Sequence, residues 1–192
     1  CLIEKKELTP DVYPLSLNGA VAAANQKTAR EPVMALEEVE VNRALKTLAE
    51  KGLVRQVYGS RVERYEYLLS QKFSLTQPQI AIVGLLLLRG LQTAHELLAR
   101  SERMARYQSI EQLRGDLDLL IGRRPPLIQL IERGAGQREE RYAHLLSGEV
   151  QVPVHAAPVT TSSRRSDLEE RVEALEKQVA DLAEKLRILV GE

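Results

Sequence analysis

The sequence predicts an α+β, mainly helical chain: two tandem winged-helix domains (residues 1–73 and 74–146), a flexible linker (147–166) and a C-terminal coiled-coil helix (167–190). Three observations carry that prediction. Helix and strand patterns run in the order helix, helix, helix, hairpin, and then repeat. A stretch rich in Pro, Ser and Thr follows, and a strict heptad closes the sequence.

In the first half, Cys1-Leu2-Ile3-Glu4-Lys5-Lys6 reads as the end of a helix. Ser16 is the N-cap of the next helix, which runs through Val21 and Ala24 to about Asn25. Residues 26–32 form a loop, because Pro32 disfavours helix at Glu31. A third helix spans about Glu37 to Lys51, with Val41, Leu45 and Leu48 on one face and Gly52 as its C′ residue. Residues 53–58 read as a strand, Gly59-Ser60 as a turn, and Arg61 to Leu69 as the returning strand.

The second half repeats this plan. Helices are expected over Gln77–Arg89, Ala94 to about Glu102, and Ser109–Ile121, then a strand over Leu127–Glu132, a Gly-rich turn, and a strand over Glu139–Leu146. Glu63-Arg64-Tyr65-Glu66-Tyr67-Leu68-Leu69 matches Glu140-Arg141-Tyr142-Ala143-His144-Leu145-Leu146 at five of seven positions, at the same point in both element orders. That coincidence supports a duplication.

Ser147 to Ser166 holds two prolines and no helical periodicity, so it cannot bury enough surface to offset its ordering entropy. Beyond it, Leu168, Val172, Leu175, Val179, Leu182, Leu186 and Leu189 alternate at spacings of four and three. Val172, Val179 and Leu186 take the a positions and the other four take d, a seam that fits a parallel homodimer. Arg171 at g faces Glu176 at e of the other chain, and Ser166-Asp167 caps the helix. An amphipathic helix folded back on its own domain is the alternative.

Composition excludes several classes. Hydrophobic residues make up 44% and charged residues 28%, the profile of a globular chain. The apolar run Ile80–Leu88 is too short to span a bilayer, so no membrane association is expected. Formal net charge is zero, and no segment is strongly basic: Lys/Arg against Asp/Glu is 11 to 10 over residues 1–75, 10 to 9 over 76–150, and 6 to 8 over 151–192. A mature lipoprotein begins with Cys, but the helical reading of Cys1–Lys6 favours a chain missing its native N-terminus, with no signal peptide and a cytoplasmic location. His95, His144 and His155 lack metal spacing, Gly134-Ala135-Gly136 lacks the later glycine of a dinucleotide fingerprint, and Cys1 has no base beside it. The expectation is a non-enzymatic protein without cofactor or metal.

Leu48-Ala49-Glu50-Lys51-Gly52-Leu53-Val54 resembles the end of the recognition helix and first wing strand of many bacterial winged-helix regulators. The stretches Leu8-Thr9-Pro10-Asp11-Val12-Tyr13-Pro14-Leu15-Ser16-Leu17-Asn18 and Asn25-Gln26-Lys27-Thr28-Ala29-Arg30-Glu31-Pro32-Val33-Met34 resemble the YceH-like family of uncharacterised bacterial proteins. The resemblance extends over residues 1–192. It implies the tandem winged-helix fold, with Cys1–Lys5 at the end of the first helix, and carries no activity with it.

If the protein binds double-stranded DNA, the third helix of each domain enters the major groove and the wing touches the flanking backbone. The candidates are Asn42, Arg43, Lys46 and Thr47 on the outer face of the first domain's third helix, and Lys27 and Arg30 on the preceding loop. Arg61 on the first wing and Arg133 and Arg138 around the second wing complete the set. Glu37, Glu38 and Glu40 at the start of that helix oppose this, since they suit the helix dipole but repel phosphate. Arg43 and Lys46 also lie three or four positions from Glu38, Glu40 or Glu50, close enough to be paired. A protein–protein adaptor using its winged helices is therefore the standing alternative.

Overall fold

The computed structural model describes residues 1–58, 62–133 and 139–148. The first turn with Arg61, the Gly-rich turn with Arg138, most of the linker and the whole heptad segment lie outside the described residues. The described fold is α+β and mainly helical, with small antiparallel sheets.

Helix α1 covers Leu2–Leu8, the two-residue strand β1 Leu15–Ser16, α2 Leu17–Ala24 and α3 Glu38–Glu50. Strands β2 (Val54–Tyr58) and β3 (Glu63–Tyr67) form a hairpin, and β1 pairs with the other edge of β3, giving the order β1-β3-β2. A short helix α4 (Leu69–Phe73) leads to α5 (Gln77–Arg89), α6 (Ala94–Ser101) and α7 (Ile110–Ile121), then to the hairpin β4 (Ile128–Ile131) with β5 (Arg141–His144).

The boundaries follow local chemistry. Ser16 accepts from the Gly19 N–H at 3.2 Å and starts α2. Gly52, at φ +64, ends α3 in the left-handed region that side chains avoid. Thr76 and Gln79 form a reciprocal capping box that starts α5, and Thr93 with Glu96 does the same for α6. Helix α5 is apolar on nearly every face, which fits a helix at the centre of the core. Ile80, Ala81, Ile82, Val83 and Leu86 are all buried on it.

Two differences from the sequence reading have simple causes. The returning strand stops at Tyr67 instead of Leu69, because the ladder closes with Leu68 N–H donating to Leu53 O and the chain then turns into α4. Strand β1 is too short to show any alternation; Leu15 and Ser16 pair with Tyr65 and Arg64.

The two halves correspond element by element. Leu15 opposite Tyr65 matches Gln92 opposite Tyr142, and the N-cap Ser16 matches the N-cap Thr93, all displaced by 77 residues. Helices α2 and α6 match end to end at the same offset. The loop from Asn25 to Glu37 is five residues longer than the one from Glu102 to Ser109, so the offset is 72 across α3 and α7 and returns to 77 at Tyr65 and Tyr142. At the offset of 72 the inward residues Val41, Leu45 and Leu48 of α3 align with Leu113, Leu117 and Leu120 of α7.

Both halves lie inside one compact unit, Cys1–Gln151. Helix α1 packs on α5, where a Cβ added at Gly84 would stand 3.0 Å from Ile3 Cγ2. Glycine at that position lets the two helices approach closely.

Candidate nucleic-acid interface

Helix α3 presents its candidate residues because of what it buries. Val41 and Leu45 face the core, so Arg43, Lys46 and Thr47 are exposed and Asn42 is half-buried at the margin. Among the described residues neither Arg43 nor Lys46 has an ion-pair partner. Glu37, Glu38 and Glu40 thus form no ion pair with either of them among the described residues. Glu40 is occupied elsewhere: its carboxylate accepts the Glu37 N–H at 2.8 Å, satisfying a donor ahead of the helix.

Arg30 is a correction. Expected as a phosphate contact, it is buried, with its side chain 2% exposed and paired with Glu4 of α1. The two groups meet in a fork, Nη2 to Oε2 at 2.6 Å and Nη1 to Oε1 at 3.2 Å. Arg30 also donates to Ala23 O from Nε at 3.2 Å and Nη2 at 2.7 Å, and to Ala29 O at 2.9 Å. Ala23 lies in the last turn of α2, so Arg30 satisfies a carbonyl that the helix leaves without a partner. The loop is held at its neck as well, where the Asn25 side chain exchanges two hydrogen bonds of 2.8 Å with the Leu36 backbone. Glu31 N–H donates to Leu88 O of α5 at 2.9 Å. Lys27 and Thr28 remain exposed on this clamped loop.

On the first hairpin, Arg55 pairs with Glu66 across the strands, and Arg64 donates to Pro14 O at 2.7 Å. In the second half, Arg133 is exposed beside a cleft of about 300 Å³ lined also by Arg114, Glu139, Glu140 and Tyr142. Its two carboxylates counter its two guanidinium groups. At the offset of 72, the α3 face of Val39, Arg43, Lys46 and Thr47 corresponds to Glu111, Gly115, Asp118 and Leu119 on α7. The basic face thus exists on one of the two equivalent helices. Burial pushes the His144 imidazole below its ordinary pKa, and its Nδ1 has no partner among the described residues.

Sequence reading missed three contributors to this site: Glu4 and Asn25, which fix the loop ahead of α3, and Val39, exposed in the first turn of α3. Glu4 lies 26 residues from Arg30, too far for any local spacing rule to link them. No group of three or more His, Cys, Asp or Glu side chains among the described residues is placed to hold a metal ion. No helix among them is long and apolar enough to cross a membrane.

The family model for "Protein of unknown function, DUF480" matches residues 1–137. The chain belongs to this family. It is 68% identical over 192 residues to a UPF0502 protein of Mesorhizobium japonicum, covering all of this chain and 92% of the relative. A UPF0502 protein of Xanthomonas axonopodis pv. citri is 53% identical over 193 residues, covering 97% and 86%. One from Stenotrophomonas maltophilia is 45% identical over 197 residues, covering 100% and 90%. The family resemblance read from residues 8–18 and 25–34 is consistent with this membership.

Proposed function

We propose that the protein is a cytoplasmic, non-enzymatic DNA-binding protein with a regulatory role, made of two tandem winged-helix domains and joined as a homodimer by its heptad helix. The observation that carries the reading is the α3 face: Arg43, Lys46 and Thr47 exposed, with no acidic partner on either cation among the described residues. The constant offset between β1-α2 and its counterpart around Gln92 and α6 supports two copies of one plan. The contrast between α3 and α7 supports a division of labour, in which the first domain contacts DNA and the second has a packing or partner role.

The test is fluorescence anisotropy of the full chain on mixed-sequence duplex DNA across a salt series. Changing both Arg43 and Lys46 to Ala is expected to weaken binding and flatten the salt dependence by about one logarithmic unit for each lost phosphate contact. An unchanged slope removes α3 from the interface.

The adaptor reading is favoured by different residues. Tyr58 and Val62, at the two sides of the first turn, are 77% and 56% exposed, and such apolar surface suits a protein partner. Pull-down of a defined protein partner lost on Tyr58→Ser, together with absent DNA binding, would establish it. The dimer is tested separately. Leu175→Asp with Leu182→Asp is expected to give monomers by light scattering, whereas a persistent dimer places the interface elsewhere.

A further inference from the structure

Val39 is 68% exposed in the first turn of α3, where a β-branched side chain loses rotamer freedom and buries little. With Val41 and Leu45 turned inward, the 3.6-residue period places Val39, Arg43 and Glu50 along the centre of the opposite face, with Lys46 and Thr47 beside them. Glu38 and Glu40 fall to the two sides of this ridge, and the Glu40 carboxylate is engaged by the Glu37 N–H. Glu50 closes the ridge at its C-terminal end, about 16 Å from Val39 along the axis.

We propose that Val39 reads the C5 methyl group of a thymine in the major groove, in register with a guanine contacted by Arg43. This inference rests on the DNA-binding reading of α3. A recognition helix brings its N-terminal residues over the base edges, and Val39 is the second residue of α3. The thymine methyl is the apolar group on the major-groove edge of an A·T pair, and an exposed branched hydrocarbon on a polar ridge is its complement. Arg43 stands one turn further along, about 6 Å, which spans about two base-pair steps of 3.4 Å. The recognised site therefore holds a thymine and a guanine within about two base pairs of each other.

The ridge itself argues for duplex DNA over a protein at this face. A helix that docks into an apolar groove repeats its anchors at i+3, i+4 and i+7. From Val39 those positions are Asn42, Arg43 and Lys46, all polar and two of them cationic. That pattern complements a phosphate-lined groove with one methyl group on its floor.

The test uses the full chain. Duplexes retained from a random-sequence library at low salt are sequenced, and each thymine of the enriched site is replaced in turn by deoxyuridine, which removes only the methyl. At one thymine within two base pairs of an enriched guanine, the wild type is expected to weaken about fourfold, the scale of one buried methyl group. Val39→Ala, checked for its fold by circular dichroism, is expected to bind the thymine and uracil versions equally. Insensitivity of the wild type at every thymine, an enriched site without thymine, or a Val39→Ala variant that keeps the full methyl dependence overturns the proposal and leaves α3 as a DNA-binding helix. Failure to retain any duplex overturns both readings together.

Discussion

Arg30→Ala is expected to destabilise the protein by about 3–5 kcal/mol, read as a lower urea midpoint with an unchanged slope. The change leaves Glu4, itself 6% exposed, as a buried carboxylate without its counter-ion. It also strips the Ala23 carbonyl of both its guanidinium donors and the Ala29 carbonyl of its one. An unpaired buried charge costs far more than the net worth of the pair it came from. Replacing both partners, Glu4→Leu with Arg30→Met, is expected to recover much of the loss, because no ion is then stranded. Recovery stops short of the wild type by about 1–3 kcal/mol, since the Ala23 carbonyl remains buried without a donor. A double variant as unstable as the single one would mean that the pair is not what holds this loop. The functional consequence follows from position: the loop pinned by Asn25 and Arg30 feeds directly into α3, so its release is expected to blur the placement of Arg43 and Lys46.

Arg30 also shows where reading the sequence reached its limit. An arginine on a polar loop before a recognition-type helix is locally indistinguishable from a phosphate contact, and only the fold brings Glu4 to it from 26 residues away. The elements themselves were legible because their signals are local. The sequence bounds α5 at Gln77 and Arg89, as observed, and the structure shows Thr76 and Gly90 capping it. Helix α3 was read to within a residue at each end, from the inward spacing of Val41, Leu45 and Leu48 and from Gly52. Strand β1 and helix α4 carried no such signal, being two and five residues long and defined by partners distant in sequence. The likeness of the two halves is legible as five matching residues around Tyr65 and Tyr142. Its stronger expression, Leu15 and Gln92 each opposite that tyrosine, needed the strand pairing. Val39 went unnoticed because an exposed valine attracts attention only once the face it occupies is known.

Leu113→Ala is expected to cost about 2–5 kcal/mol, and the way that loss is shared between the two halves is the more informative result. Leu113 is completely buried on α7, beside Leu117 and Leu120, and its truncation leaves a cavity that helices α5 and α6 cannot close without moving. If the halves were independent beads, amides of the β2–β3 hairpin would keep their wild-type hydrogen-exchange protection while those of β4–β5 lost it. The packing argues otherwise. Helix α1 of the first half rests on α5 of the second, with Ile3 against Gly84, and the Glu31 N–H is bonded to Leu88 O at the end of the same helix. Helix α5 is therefore core to both halves, and a wound on its far side propagates through it. The slowest-exchanging amides of both hairpins are expected to lose protection by the same free energy, the signature of one cooperative unit. Loss confined to β4–β5 would show that the halves unfold separately, and the tight approach at Gly84 would then be contact without coupling.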